Sequence, residues 1–240
     1  MRKRTPLHTT NPWRRISRTG RAAIAAWLGS LMLALALMGT AEAADKAEAP
    51  AGTQVPVLLA LGTSLTAGYG LPAEDGFVAA LDRRLAERGV AVRILDAGVS
   101  GDTTAGGRAR LDWLLTGEIT HAIVELGSND ALRGLPVAEA EANLAAILET
   151  LTGRGIKVLL AGMLAPPNMG ADYAEAFAAI YPRLAERHGV ALYPFFLEGV
   201  AAEPALNQAD GIHPNAQGVE VIVEGIAPHV ERLLAGTPAP

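Results

Sequence analysis

Three serines each follow a short apolar stretch of the sequence, and each stands in a segment rich in glycine. They are Ser64 in LGTS, Ser100 in AGVSG and Ser128 in ELGSND, and they are the only serines beyond position 43. A serine hydroxyl in such a loop can serve as a nucleophile for acyl transfer, although serine and glycine are also ordinary turn residues. The segment LLALGTSLTAGYG makes Ser64 the first candidate nucleophile.

A serine nucleophile needs a base, and His213 is the best candidate among the histidines. It lies in ADGIHPNAQG, three residues after Asp210. Because Pro214 favours an extended backbone at His213, Asp210 could accept a hydrogen bond from Nδ1–H and leave Nε2 free to take a proton. The same segment is also typical of a helix lead-in, in which Asp210 or Asn215 caps backbone N–H groups.

The oxyanion formed in acyl transfer needs hydrogen-bond donors. The backbone N–H groups of Ser64 and Gly101 and the side-chain amide of Asn129 are the candidates, although Asn129 is equally consistent with a plain turn. Metal-ligand spacing is not visible in the sequence, since one Asp-x-x-His is too little to hold zinc or calcium. We therefore expect no metal and no cofactor.

Elements that could position these residues are predicted from the alternation of apolar and amphipathic stretches. The apolar stretches predict five strands, at 55–61, 90–98, 120–127, 156–163 and 190–196. Apolar residues at helical spacing predict helices at 75–89, 104–115, 137–155, 172–189 and 217–234, and Pro182 should bend or interrupt the fourth of these. The pattern predicts a parallel sheet covered on both faces, with the three serine loops at one edge of the sheet.

The first 43 residues are predicted to be a signal peptide. Seven Lys and Arg residues within 1–21 precede the uncharged stretch 22–40 and the small-residue site Ala41-Glu42-Ala43. A retained membrane anchor is the alternative, because the uncharged stretch is nearly long enough to span a bilayer. Cleavage would leave a disordered lead-in at 44–54, one domain at 55–235 and a tail at 236–240, exported to the periplasm or secreted and without a stable membrane anchor.

The charge of the predicted mature chain excludes some partners. It has 13 Lys and Arg residues against 24 Asp and Glu residues, a net charge of −11. A surface of this charge repels nucleic acid and anionic lipid, so we expect neither as a partner. The chain has no cysteine, so packing rather than disulfides must stabilise it after export. The sequence does not indicate an oligomeric state.

Four segments in the order GTSLTAGYG, GVSGDTT, ELGSND and DGIHPN resemble the signature blocks of the SGNH (GDSL) hydrolases. The resemblance covers residues 55–235 and is greatest to the exported bacterial arylesterase, thioesterase and lysophospholipase branch. It implies a flavodoxin-like, three-layer α/β/α sandwich with a parallel five-stranded sheet. It also implies that Ser64 is the nucleophile and His213 the base, oriented by Asp210. The oxyanion hole would consist of the Ser64 and Gly101 N–H groups and the Asn129 amide.

One position departs from the family pattern. The first block usually reads Gly-Asp-Ser, and this chain has Thr63 in place of the aspartate. The missing carboxylate would normally anchor the loop beside the nucleophile, and a threonine hydroxyl is a weaker, uncharged substitute. We expect Thr63 to affect the rate and the rigidity of the loop more than the mechanism.

Two loops are predicted to contact the substrate. Leu132 and Leu135 belong to ALRGLP, and Pro166 and Met169 belong to LAPPNM; the apolar character of both loops suits an acyl chain or an aryl group. The expected partner is therefore a small acyl or aryl ester, hydrolysed through an acyl-enzyme on Ser64, with thioesters and lysophospholipids as further candidates.

Two other functions remain open on the sequence. One is O-deacetylation of an envelope polysaccharide, which the presence of a single tryptophan beyond position 43, Trp113, disfavours because sugars stack on aromatic rings. The other is a weakly active or non-catalytic ligand-binding protein, since Thr63 replaces the usual aspartate.

Overall fold

A computed structural model describes residues 55–115 and 117–236, and all structural statements below refer to these residues. The predicted signal peptide and lead-in lie outside them, as does the end of the predicted tail. Among the helices within the described residues, none is long and apolar enough to cross a bilayer.

Five parallel strands form a single sheet in the order β2-β1-β3-β4-β5. Their bounds are β1 (Val57–Gly62), β2 (Arg93–Gly98), β3 (His121–Glu125), β4 (Lys157–Ala161) and β5 (Ala191–Tyr193). Every residue of β1 and β3 is buried, including the polar residues His121 and Glu125 at the two ends of β3, whereas the edge strand β2 is partly exposed. The predicted parallel five-stranded sheet is confirmed.

Helices connect the strands and cover the sheet. Their bounds are α1 (Phe77–Glu87), α2 (Thr104–Leu114), α3 (Ser128–Leu132), α4 (Val137–Gly153), α5 (Ala171–Ala178), α6 (Ile180–His188) and α7 (Ala216–Ala235). Helix α1 packs against α7, and α4 packs against both α2 and α6. Because crossovers between parallel strands are right-handed, these two groups cover opposite faces, and the fold is an α/β sandwich of three layers.

One predicted interruption is confirmed, and one helix was not expected. The helix predicted at 172–189, which Pro182 was expected to bend or interrupt, is divided into α5 and α6 at Ala179. Pro182 explains this break, since it lacks an N–H and would collide with the carbonyl group four residues earlier, but it is accepted in the first turn of α6. The segment after β3, expected to be a loop, forms the short helix α3, which begins at Ser128.

Strand register places the candidate segments side by side. At the carboxyl end of the sheet, Gly62 of β1 pairs with Gly98 of β2 on one side and with Glu125 of β3 on the other. After β1 the chain crosses over to β2 on one side, and after β3 it crosses over to β4 on the other side. Ligands of open α/β sheets bind where the connections diverge in this way, beyond the carboxyl ends of the strands.

Candidate active site

Ser64 lies in a tight turn that begins directly after β1. The Ala67 N–H donates to the Thr63 carbonyl at 3.0 Å, and the Tyr69 N–H donates to the Ser64 carbonyl at 3.0 Å. Ser64 itself is only 8% exposed. The turn therefore presents one hydroxyl at the carboxyl edge of the sheet and holds its backbone in place.

A chain of hydrogen bonds joins Ser64 to His213 and Asp210. The Nε2 atom of His213 lies 2.9 Å from Ser64 Oγ, and its Nδ1 atom lies 2.7 Å from Asp210 Oδ2. Since a carboxylate only accepts, Nδ1 carries the proton and Nε2 is left as the acceptor for the serine hydroxyl. This is the geometry that a serine nucleophile and its base require.

The backbone of the turn that carries His213 holds the Asp210 carboxylate in place. Its Oδ1 atom accepts from the backbone N–H groups of Ile212, at 2.9 Å, and His213, at 3.0 Å. The hydrogen bond from the His213 side chain, followed by these backbone bonds, lowers the pKa of Asp210 to about 2. Asn215 caps α7 by accepting from the Gly218 N–H at 3.0 Å. Capping and orientation thus coexist in this segment, carried by different residues.

Tyr69 and Gln208 support the histidine, and neither role was predicted from the sequence. The ring of Tyr69 lies over that of His213, with centroids 4.6 Å apart. Gln208 Nε2 donates to the Tyr69 carbonyl at 2.7 Å and to the Pro214 carbonyl at 2.9 Å. These bonds fasten the serine turn to the histidine loop, which are about 140 residues apart in sequence.

The loop after β2 carries Gly101, which has a φ of +82°. Its carbonyl accepts from Arg133 Nη2 at 2.8 Å. The next residue, Asp102, binds Arg110 Nε at 2.7 Å, and Arg110 Nη2 donates to the Gly62 carbonyl at 3.0 Å. The loop is therefore held to both β1 and the segment after β3, although Gly101 itself is not part of the cleft wall described below.

Asn129 lies in the first turn of α3, and its side chain reaches the Gly101 loop. Its Nδ2 atom donates to the Asp102 carbonyl at 2.9 Å. An amide nitrogen has two hydrogens, so one remains for a ligand in the cleft that Asn129 lines together with Ser64. The adjacent Asp130 is buried and accepts from the N–H and hydroxyl groups of Thr104, at 2.9 and 2.6 Å, which ties α3 to the start of α2.

A cleft of about 620 Å³ opens at Ser64 and His213. Its walls are mainly apolar, and they include Leu132, Leu164, Pro166, Phe195, Leu197 and Ile212. Among the described residues that line it, His213 is the only titratable one. Such a cleft suits an uncharged apolar group next to a small polar centre.

The structure places two of the four predicted substrate contacts on the cleft wall. Leu132 and Pro166 line the cleft, but Leu135 and Met169 do not. The Leu135 carbonyl accepts from the Tyr173 hydroxyl at 2.8 Å, and Met169 packs over Gly134. Leu135 is thus joined through its carbonyl to α5, and Met169 lies against the loop that contains Leu132. The sequence shows that these loops are apolar but not which side each residue faces.

The carboxylate that seemed to be missing beside the nucleophile is supplied from another strand. Thr63 is fully buried, and its hydroxyl donates to the carboxylate of Glu125, the last residue of β3, at 3.0 Å. The loop is thus anchored to a carboxylate despite the substitution in the first block.

Comparisons with known proteins identify the family of this chain. Residues 60–221 match the model of the GDSL-like Lipase/Acylhydrolase family. The chain is 44% identical over 178 residues to Esterase TesA of Pseudomonas aeruginosa, covering 74% of this chain and 89% of that protein. It is 39% identical over 178 residues to Thioesterase 1/protease 1/lysophospholipase L1 of Escherichia coli, covering 74% and 84%.

A solved structure shows the same similarity in three dimensions. The crystal structure of AlinE4, a SGNH-hydrolase family esterase, is 48% identical, with a TM-score of 0.64 over 78% of this chain and 98% of that one.

Proposed function

This chain belongs to the GDSL-like lipase/acylhydrolase family and is a hydrolase of ester bonds, and from that premise we propose that it acts through an acyl-enzyme formed on Ser64. The observation that carries the proposal is the continuous chain from Asp210 through His213 to Ser64, with bonds of 2.7 and 2.9 Å, at the floor of the cleft.

In the proposed mechanism, Ser64 Oγ attacks the ester carbonyl and His213 Nε2 accepts its proton. Asp210 stabilises the imidazolium through Nδ1–H, and the ring then protonates the leaving alcohol. The oxyanion is held by the free N–H of the Asn129 amide and by the backbone N–H groups of Ser64 and Gly101. Water, activated by His213, attacks the acyl-enzyme and releases the acid and free Ser64.

The cleft favours an uncharged acyl or aryl group as the part of the substrate that is bound. Leu132, Leu164 and Ile212 are each between 45% and 49% exposed and stand on its walls. An apolar rim of this kind recovers free energy only when an apolar group covers it. We therefore propose acyl esters, with acyl thioesters and lysophospholipids as related substrates because they present the same chain next to a reactive carbonyl.

The alternative functions have less support from the site. Trp113 lies on α2 and is 90% exposed, outside the cleft wall, so that the cleft offers no tryptophan on which a sugar could stack. A non-catalytic protein would have no use for the hydrogen-bonded chain of Asp210, His213 and Ser64. Both observations favour the esterase over a polysaccharide deacetylase and over a ligand-binding protein.

Hydrolysis of p-nitrophenyl acetate, butyrate, octanoate and palmitate tests the proposed substrate class. We expect kcat/KM to rise from acetate to the middle of the series, because each buried methylene adds about 0.8 kcal/mol of binding until the cleft is filled. Replacing Leu164 by Asp should remove this rise and leave acetate hydrolysis in place. A profile in which acetate is the best substrate and Leu164→Asp changes nothing would contradict an acyl-binding role for the cleft.

We also propose that the protein is exported and that its leader is removed after Ala43. The support is the order of basic, uncharged and small-residue segments in the sequence. The intact mass of the protein recovered from its native host tests this. A mass corresponding to a chain that begins at Ala44 is expected, and a mass that includes residues 1–43 would contradict cleavage.

A further inference from the structure

Glu125 is a fully buried carboxylate beneath the nucleophile turn. It accepts from the Thr63 N–H at 2.9 Å, from the Thr63 hydroxyl at 3.0 Å and from the Thr66 hydroxyl at 2.8 Å. These donors stand on either side of Ser64 in the sequence. One carboxylate on β3 thus holds both sides of the turn that projects from β1.

The backbone at Gly62 passes very close to this carboxylate and to the Thr66 hydroxyl. A Cβ atom at Gly62 would lie 2.7 Å from Glu125 Oε2 and would collide with the Thr66 hydroxyl. Gly62 therefore leaves room for the turn to fold back over the strand end. The Thr63 hydroxyl also accepts from the Leu65 N–H at 3.3 Å, so that this hydroxyl both donates to Glu125 and accepts within the turn.

A buried carboxylate that holds a turn carries a desolvation penalty. Burial raises the pKa of Glu125 to about 7, even though the hydrogen bonds from Thr63 and Thr66 act in the opposite direction. An apolar side chain would fill the same space without this desolvation penalty. Proteins retain destabilising groups where function requires them. Here the segment in contact with the carboxylate is the turn that carries the nucleophile.

We propose that Glu125 is a positioning residue for ester hydrolysis. Its carboxylate holds the turn from Thr63 to Thr66 so that Ser64 Oγ meets His213 Nε2, and Thr63 acts as a donor to it where the family's first block usually has an aspartate. The inference rests on the proposed role of Ser64. It assigns to Glu125 and Thr66 an effect on the chemical step, since neither residue lines the cleft.

A pair of substitutions at Thr66 tests the proposal. Thr66→Val removes one donor and keeps the shape, whereas Thr66→Ser keeps the hydroxyl. Thr150→Val is the matched control, because the Thr150 hydroxyl bonds only the Ala146 carbonyl on α4. With p-nitrophenyl butyrate, we expect Thr66→Val to lower kcat about tenfold or more with little change in KM. Thr66→Ser and Thr150→Val should stay within about twofold of the unmodified protein.

Glu125→Gln extends the test to the carboxylate, and we expect kcat again to fall with little change in KM at temperatures well below the melting transition. The Thr66 variants decide the question if Glu125→Gln does not fold. Unchanged kcat in Thr66→Val would overturn the inference even if that variant melts at a lower temperature, since the contact would then serve stability alone. That outcome differs from failure of the proposed function, in which Ser64→Ala would itself retain activity.

Discussion

The side chain of Asn129 is oriented by a single hydrogen bond, from Nδ2 to the Asp102 carbonyl at 2.9 Å. This bond identifies the amide nitrogen, which a carboxylate could not replace. We expect Asn129→Ala and Asn129→Asp each to lower kcat by about 10²–10³, because one oxyanion donor is lost. Steady-state kinetics with p-nitrophenyl butyrate measure the effect. A variant with a raised KM and an unchanged kcat would contradict the assignment of Asn129 to the oxyanion.

Thr63 permits a prediction opposite to the one that the sequence suggests. A carboxylate at this position would face the buried Glu125, with which Thr63 now forms hydrogen bonds of 2.9 to 3.0 Å. Two carboxylates in contact cannot both ionise without a large penalty. Thr63→Asp should therefore give no gain in kcat and should lose activity progressively as pH rises above neutrality. Thr63→Asn is the uncharged control, and a Thr63→Asp enzyme that is faster than the unmodified protein at alkaline pH would contradict this account.

The candidate residues that could be proposed from the sequence are those whose chemistry shows in residue type and local order. Ser64, Asp210 and His213 were predicted in this way, and the structure brings them together. Glu125, Tyr69 and Gln208 were not predicted, because their roles depend on contacts between segments that are distant in sequence. In the sequence alone, Glu125 is only a polar residue after an apolar stretch. Its position beside the nucleophile turn becomes clear only when the strand register shows that it pairs with Gly62.

The turn between β3 and α3 depends on the backbone of Gly127. Its φ of +115° is rare for other residues, and a Cβ atom there would collide with the hydroxyl of Tyr181, which donates to the Leu126 carbonyl. We expect Gly127→Ala to lower the free energy of unfolding by about 2 kcal/mol or more and to displace Asn129. Gly153→Ala at the end of α4 meets no neighbouring atom and is the control. Chemical denaturation measures both, and equal stabilities would contradict the prediction.

For the helices and strands, the sequence predicted which elements exist and of which type better than it predicted where each one begins and ends. The five strands were predicted because continuous apolar stretches are typical of buried parallel strands, but β5 is only three residues long where seven were expected. The break at Ala179 was foreseen from Pro182, whereas the helix α3 was not, since its five residues are too few to show a period. Leu135 and Met169 were misplaced for a related reason, because a loop has no periodicity from which facing can be inferred.

For the molecule as a whole, Glu125 introduces a pH dependence of stability. Burial raises the pKa of Glu125 to about 7 in the folded state, against an ordinary value of 4.5. The folded state therefore retains a proton that the unfolded chain releases, and this group's contribution to stability is lost as pH rises through that window. The difference in unfolding free energy between Glu125→Gln and the unmodified protein should therefore change in favour of the variant as pH rises from the lower to the upper end of this window. The change should amount to up to about 3 kcal/mol.

Denaturation at several pH values tests this dependence. The neighbouring titratable groups, Tyr181 on α6 and Asp130 on α3, are present in both proteins. Burial first, and then the charges of Asp130 and Glu125, raise the pKa of Tyr181, which therefore stays protonated throughout this window. Glu149→Gln, at an exposed position on α4, is the control. A stability difference that does not change with pH would show that Glu125 does not carry the buried charge described here.

The central claim, that Ser64 carries the acyl group, is tested most directly by the turnover of p-nitrophenyl butyrate in Ser64→Ala beside Ser100→Ala. Ser100 is exposed and has no role in the proposed mechanism. We predict that Ser64→Ala lowers kcat by more than about 10⁴, while Ser100→Ala retains full activity. Activity in Ser64→Ala equal to that of the unmodified protein would contradict the account.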